Sequence, residues 1–436
     1  TRGFTLDGAK VYIDQVALSQ NAINQQDSNI FDNLSDLFLI HVKRFALTNS
    51  QVIIESEIGK NHFSIANLKW RNAGDRHNAT GTVGVNSFFG DTVDLKLDLT
   101  GEEINEISGQ IYLDANQLNI TPWLDKALAI DNENNYSEIN LNAWLNIENG
   151  QPKDATIELS DNVIKWLIAE QEHQLSVNDG MLHLDFSDGK LAIESTPITV
   201  AVNDIAWQPV KILGGYSNSE VNGFISNVDI AGVSELLPLF VGDKSTIDIV
   251  EQLSPSGEIS DIHLRRIDDK WQGVATVENY RAQYSHGIPG IDNVSADIIL
   301  DNERLYAQVG ATNAHLDFDK HFLKPIPYDS IHTNILVNWR DDATQISASD
   351  IRIKTPNVTL EADVGVTLPQ DEKASMALYA DIIEGDAKHA AFYYPHLLMG
   401  KNLVEYLNNS LISGKLAHGQ VLYNGSFSDF PFNNNE

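Results

Sequence analysis

The sequence predicts an all-β fold with a few short helices, and three observations lead there. Apolar and polar residues alternate at period two through most of the 436 residues. Turn dipeptides separate the alternating runs. A segment with the pattern strand, two short helices, strand occurs twice at a fixed offset.

The clearest alternation runs through Val93, Leu95, Leu97 and Leu99, interleaved with Asp94, Lys96 and Asp98. Ile139, Leu141, Ala143, Leu145 and Ile147 alternate with Asn140, Asn142, Trp144 and Asn146. Val358, Leu360, Ala362, Val364, Val366 and Leu368 keep a single phase. Successive side chains of a strand face opposite ways, so each run has an oily side and a wet side. Strands of a parallel sheet buried on both faces read as continuous apolar runs, and those are not seen. Asp179-Gly180, Asp188-Gly189 and Asp301-Asn302 read as turns and imply antiparallel hairpins.

The repeat aligns Asp229, Pro238 and Gly257 with Asp386, Pro395 and Gly414. Ser245 and Asn402 read as helix N-caps, each with an acid three positions on (Asp248, Glu405) in the manner of a capping box. Gly257 and Gly414 read as C-cap glycines. A weaker third relative is expected at Asp114–Leu124. The helices could plug sheet ends or carry the chain between units of an extended array.

Composition narrows function. With 61 acidic against 29 basic residues the net charge is −32, which excludes a general nucleic-acid role. There are no cysteines, hence no disulfides and no thiolate chemistry. No apolar run approaches the roughly 18 residues of a transmembrane helix. The first residue is Thr1 and the last stretch is Phe430–Glu436, so the chain reads as a piece cut from a longer protein.

Candidate chemistry is thin. His315, Asp317, Asp319 and His321 would share a face of an extended strand, but four such residues span about 20 Å, too far for one ion. Asp131–Asn135 lacks the glycine and closing glutamate of a calcium loop. No nucleophile elbow, phosphate loop or dinucleotide fingerprint is present. No metal, cofactor or catalytic residue is implied, and the chain is not expected to be an enzyme. On pattern alone the oily faces would meet in tandem β-sandwiches, ahead of an open groove.

Several stretches shift that balance. Tyr393–Leu407, Ser413–Leu416 and Gly425–Phe432, with Gly109–Leu124, Leu253–Gly257 and Ile288–Ser295, resemble the YhdP family of AsmA-like envelope proteins. The resemblance covers the chain from about Gly109 onward; residues 1–90 share only its texture. It implies an elongated, curved antiparallel sheet forming an open hydrophobic groove built from repeated modules. The expected modules are residues 1–108, 109–266 and 267–436. It also implies a periplasmic segment of a Gram-negative protein anchored in the inner membrane, conducting phospholipid toward the outer membrane and supporting its permeability barrier. The partners would be phospholipid acyl chains and, through regions outside this chain, membrane proteins. From strand phase, Val93, Leu95, Leu97, Ile139, Leu141, Leu145, Val358, Leu360 and Val364 are then the candidate lipid contacts.

Overall fold

The structure is a computed structural model that describes residues 3–14, 37–56, 59–84, 92–121, 124, 135–168, 171–203, 205–217, 219–239, 241, 244–340, 342–370 and 373–426. The chain divides into two compact units, Thr1–Asn218 and Ser219–Glu436.

In the first unit β3 (Arg44–Ser56), β4 (Gly59–Ala73), β5 (Arg76–Gly84), β6 (Thr92–Thr100), β7 (Ser108–Leu118) and β8 (Tyr136–Glu148) form an antiparallel meander. β1 (Phe4–Asp7) and β2 (Lys10–Asp14) lie end to end along β3 and parallel to it. This departs from a purely antiparallel expectation. The long connection from Asp14 to Arg44 permits it, since a parallel return needs about a dozen residues or more.

Beyond β8 each long strand is broken once. β9 (Gln151–Leu159) and β10 (Asn162–Ile168) both run antiparallel to β8, and β11 (Gln171–Asn178) and β12 (Gly180–Asp185) run back along them. β13 (Leu191–Ser195) and β14 (Thr199–Val202) follow β12 and β11, and β15 (Ile205–Ala206) and β16 (Ile212–Ser217) follow β14 and β13. Asp179, with φ 50°, is therefore a kink inside one long strand and not the tip of a hairpin. Its dipeptide looks like a turn because Asp tolerates the left-handed region and Gly follows. Asp188-Gly189 and Asp301-Asn302 do sit between consecutive antiparallel strands.

Kinking a strand removes backbone partners, and buried polar side chains replace them. Asn162, 4% exposed, accepts from the Asn140 amide at 2.7 Å and donates to the carbonyls of Ser160 (2.7 Å) and Val177 (3.0 Å). The buried Ser195 hydroxyl accepts from Ile212 N at 2.7 Å. Ser137 does the same for Ile120 N at 2.7 Å, and Ser50 for Ala9 N at 3.1 Å. Each buried group finds the bond whose absence would cost about 1–3 kcal/mol.

The second unit is a longer meander: β17 (Glu220–Asp229), β18 (Ser256–Ile267), β19 (Lys270–Ala282), β20 (Gly290–Asp301) and β21 (Arg304–Asp317). It continues through β22 (Ile326–Trp339), β23 (Ala343–Lys354), β24 (Val358–Pro369), β25 (Ser375–Asp386) and β27 (Gly419–Ser426), with the short β26 (Lys415–Leu416) also on β25. Asp261, Asn279, Asn293, Asn313 and Asp350 lie inside these strands with φ between 50° and 55°. All five fall within register shifts, Asn313 in the one between the pairs Ile291–Leu316 and Val294–Ala311. They are β-bulges, which bend a strand and advance its side-chain phase by one. The apolar sequence slips accordingly, from Val277 to Tyr280, from Ala311 to Ala314 and from Ala348 to Ile351.

The core sits at this bend. Val294, Ala311, Ala314 and Tyr328 form the buried cluster, with Tyr280, Ile291, Val309, Leu316 and Ile331 packed against it. Side chains on the inside of a bend converge, so the apolar face is the inner one. Tyr328, 2% exposed, donates to the Asp292 carbonyl at 2.5 Å.

Two helical insertions interrupt the second unit. After β17 come α1 (Ile230–Leu236), a 3-10 turn (Leu237–Leu239) and α2 (Lys244–Leu253). After β25 come a 3-10 turn (Ala387–Tyr393), α3 (His396–Met399) and α4 (Lys401–Ser410). Asp229 caps the first by accepting from Gly232 N at 2.8 Å, and Asp386 the second by accepting from Lys388 N at 3.0 Å. α2 and α4 are offset by 157 residues at both ends.

Two expectations about caps are corrected. Ser245 and Asn402 lie in the first turn, because the helices already begin at Lys244 and Lys401. The acids pair with those lysines instead, Lys244–Asp248 at 3.3 Å and Lys401–Glu405 at 3.7 Å. Gly257 and Gly414 (φ 133° and 128°) open the following strands and do not cap helices. A Cβ on Gly257 would lie 2.9 Å from the Glu278 carbonyl, so the close approach of β19 requires glycine. Of the third relative, Leu124 N bonds to the Ile120 carbonyl at 3.1 Å, and most of the rest after Ile120 lies outside the described residues.

Replacing Asn162 by Leu keeps the volume and strands three backbone groups, so urea unfolding should show a loss of about 3 kcal/mol. A loss under about 1 kcal/mol would show that the kink does not depend on this side chain. Asn313→Val, forcing a β-branched residue into the left-handed region, should cost about 1–2 kcal/mol while Asn313→Gly is tolerated. Burial, then the nearby Asp292, pushes the Tyr328 hydroxyl up to about 12 from 10.0. The neutral form is thus favoured on folding. The resulting stability is complete below pH 10 and is lost as pH rises toward 12. Tyr328→Phe should flatten that part of the alkaline stability profile, as read by denaturation at a series of pH values.

Candidate functional site: the apolar inner face

Strand register converts the one-sided strands into continuous rows. In the first unit one row runs Leu47, Leu68, Gly81, Leu95, Leu113 and Ala143, then on to Ile157 and Leu182. The next runs Phe4, Phe45, Trp70, Ala79, Leu97, Ile111 and Leu145, ending at Ala155, Leu184 and Ile193. Phe4, Phe45 and Trp70 stack at 6.0 and 5.6 Å. A cavity of about 780 Å³ opens beside them.

Of the nine candidate contacts, Val93, Leu95, Leu97, Leu141 and Leu145 share this face, and Ile139 joins it opposite Leu118, past the φ 55° kink at Gln117. In the second unit Leu360 and Val364 lie on the inner face, in rows with Ile353 and Ile382, and with Ala348 and Leu378. Val358 lies past the register shift between Thr359 and Leu360, paired with Gly385. All nine are half-buried, neither sealed in a core nor fully wet. No signal in the alternation alone showed where each face shifts phase; the bulge-forming Asn and Asp residues carry it.

The opposite face of the first unit is mostly polar, with the Tyr112 and Trp144 rings packed on it at 5.3 Å. Asp98 takes bonds from Arg76 and from Asn78 (2.8 Å), and across the next strands Gln110 donates to Asn146 (3.1 Å) and Asn146 to Asp154 (2.6 Å). Arg76 holds the Asp98 carboxyl below its ordinary range. These exposed pairs add little stability. They keep that face in water.

The second unit's outer face is less uniform. Val274, Ile299 and Tyr306 lie on it, 43%, 56% and 39% exposed.

Only twenty hydrophobic residues are buried among the described ones. Apolar faces closed against each other would have buried more of them. The arrangement can therefore hold an apolar chain along the rows. His315 and Asp317 end β21, whereas Asp319 and His321 belong to the next 3-10 turn. Among the described residues no three metal-ligating side chains gather. Asp131–Asn134 lie outside the described residues. Among the described residues no helix is long and apolar enough to cross a membrane.

The chain is 25% identical over 429 residues to the intermembrane phospholipid transporter YhdP of Escherichia coli (strain K12), a match covering 94% of this chain and 34% of that relative. It thus spans about a third of the length of the curated relative it matches. No solved structure matches. The family described as YhdP protein matches residues 2–436, and the chain belongs to the YhdP family.

Proposed function

We propose that this chain is a section of a phospholipid conduit between two membranes, with acyl chains lying on the apolar inner face. The observation that carries the reading is the set of half-buried apolar rows crossing strand after strand without interruption. Two acyl chains carry roughly 30 methylenes, and exposing them to water costs on the order of 25 kcal/mol. A lipid crossing an aqueous space needs apolar cover at every step, and rows that continue from strand to strand supply it. Family membership and the relative's name support lipid as the cargo.

We place the section in the periplasm, within a longer protein anchored in the inner membrane, and assign it a part in maintaining the outer-membrane permeability barrier. Contacts with proteins of either membrane would lie outside this chain. Conduction breaks no covalent bond, so no catalytic residue is assigned. The net charge of −32 keeps the outer surface soluble and leaves the inner face as the route for lipid.

Photo-crosslinking residues placed at Leu141, Leu145, Leu360 and Val364 in cells should capture phospholipid, whereas the same probe at Asp94 or Glu361 on the exposed polar side should not. Capture at none of the four inner positions would defeat the conduit reading and favour a structural envelope module. Val364→Asp and Leu145→Asp each put a charge into a row and should lower lipid capture at neighbouring probes several-fold, with about 1–2 kcal/mol of stability lost.

A further inference from the structure

An amphipathic lipid on the inner face must put its phosphate somewhere, and most of this chain repels an anion. About one residue in seven is acidic. None is acidic between 320 and 328, or between 387 and 404. Together these two stretches hold Lys320, Lys324, Lys388 and Lys401, with His321, His389 and His396.

The fold brings the two stretches together. α3 packs against the 3-10 turn Asp319–His321, and Lys324 Nζ lies 3.9 Å above the Phe392 ring. Lys320, Lys324 and Lys388 are exposed. Among the described residues neither Lys320 nor Lys324 pairs with a carboxylate. Asp292, Asp317 and Asp319 line a cavity of about 720 Å³ together with Pro325, and Asp386 lies beside Lys388. Asp317 accepts from Asp319 N at 2.8 Å, and Asp386 is held by His389 Nδ1 at 2.9 Å.

Two further features suit a lipid. The last apolar row of the inner face, Ile291, Leu316 and Ile326, ends beside these lysines in sequence and at the same end of β21 and β22. Leu323 and Leu397, each 60% exposed, flank them. Nearby, the Tyr394 hydroxyl and His396 Nε2 are buried without a hydrogen-bond partner. Both can donate to an acceptor oxygen.

We propose that this rim is the berth of a phospholipid phosphate, with Lys320, Lys324 and Lys388 as its counter-ions while the acyl chains rest on the row ending at Leu316 and Ile326. This rests on the conduit reading. A strongly acidic chain then concentrates an anionic headgroup at one place, and a lipid is held by both ends.

The test uses the full chain with a photo-crosslinker at Leu360, offered dioleoylphosphatidylglycerol or dioleoylglycerol in neutral detergent micelles. The chain should capture the phospholipid about tenfold more efficiently, equivalent to about 1.4 kcal/mol. The triple variant K320E/K324E/K388E, all at exposed positions, should lose that preference and keep its capture of dioleoylglycerol and its melting temperature. Persistence of the preference in the variant would overturn the proposal. So would full competition by inorganic phosphate at matched concentration, which would mark a site for free anions. If the unmodified chain captures neither lipid, the conduit reading itself fails.

Discussion

The structure depends on a bend that most of its long strands take at one point. A left-handed Asn or Asp inserts an extra residue, the strand turns inward, and its side-chain phase advances by one. Asn and Asp serve because their short polar side chains tolerate this backbone region where a β-branched residue would be strained. Asn279, Asn293 and Asn313 occupy three consecutive strands, so the bends line up across β19, β20 and β21. The buried cluster around Val294, Ala311 and Tyr328 forms where the crease crowds the apolar face.

A crease has a cost in hydrogen bonds, and the distribution of buried polar groups follows from it. Asn162, Ser195, Ser137 and Ser50 are almost wholly buried, yet each bonds a backbone group left over by a kink or bulge. These residues look misplaced in an apolar strand only until the kink is seen. With the backbone satisfied at the fold line, the two arms of each strand can stay apart with their apolar sides uncovered. That separates this architecture from a sandwich, in which opposing sheets would bury those sides.

The same geometry gives the apolar face its continuity. Rows of Leu, Ile, Val and Ala continue across strands because alternation and register agree. A surface of that kind suits the hydrocarbon part of a cargo of variable length. On the conduit reading proposed above a lipid headgroup needs a different environment, and the stretches 320–328 and 387–404, which hold no acidic residue, offer one.

Much of this was legible beforehand. Val93 to Leu99 and Ile139 to Ile147 alternate so cleanly that strand, face and partner class follow from period two alone. The repeat located both helical insertions. Details that depend on distant partners were not legible. Ser245 and Asn402 have N-cap chemistry, but the helices start earlier, where Lys244 and Lys401 reach Asp248 and Glu405. Asp179-Gly180 has turn chemistry, but neighbouring strands on both sides of the kink hold it within one long strand. By itself the sequence determined that every strand has one oily side, because side-chain alternation is a local property of the chain. Whether those sides would meet or stay open was decided by the tertiary structure, since it depends on where successive bulges align, and that is set by pairing between strands far apart in sequence.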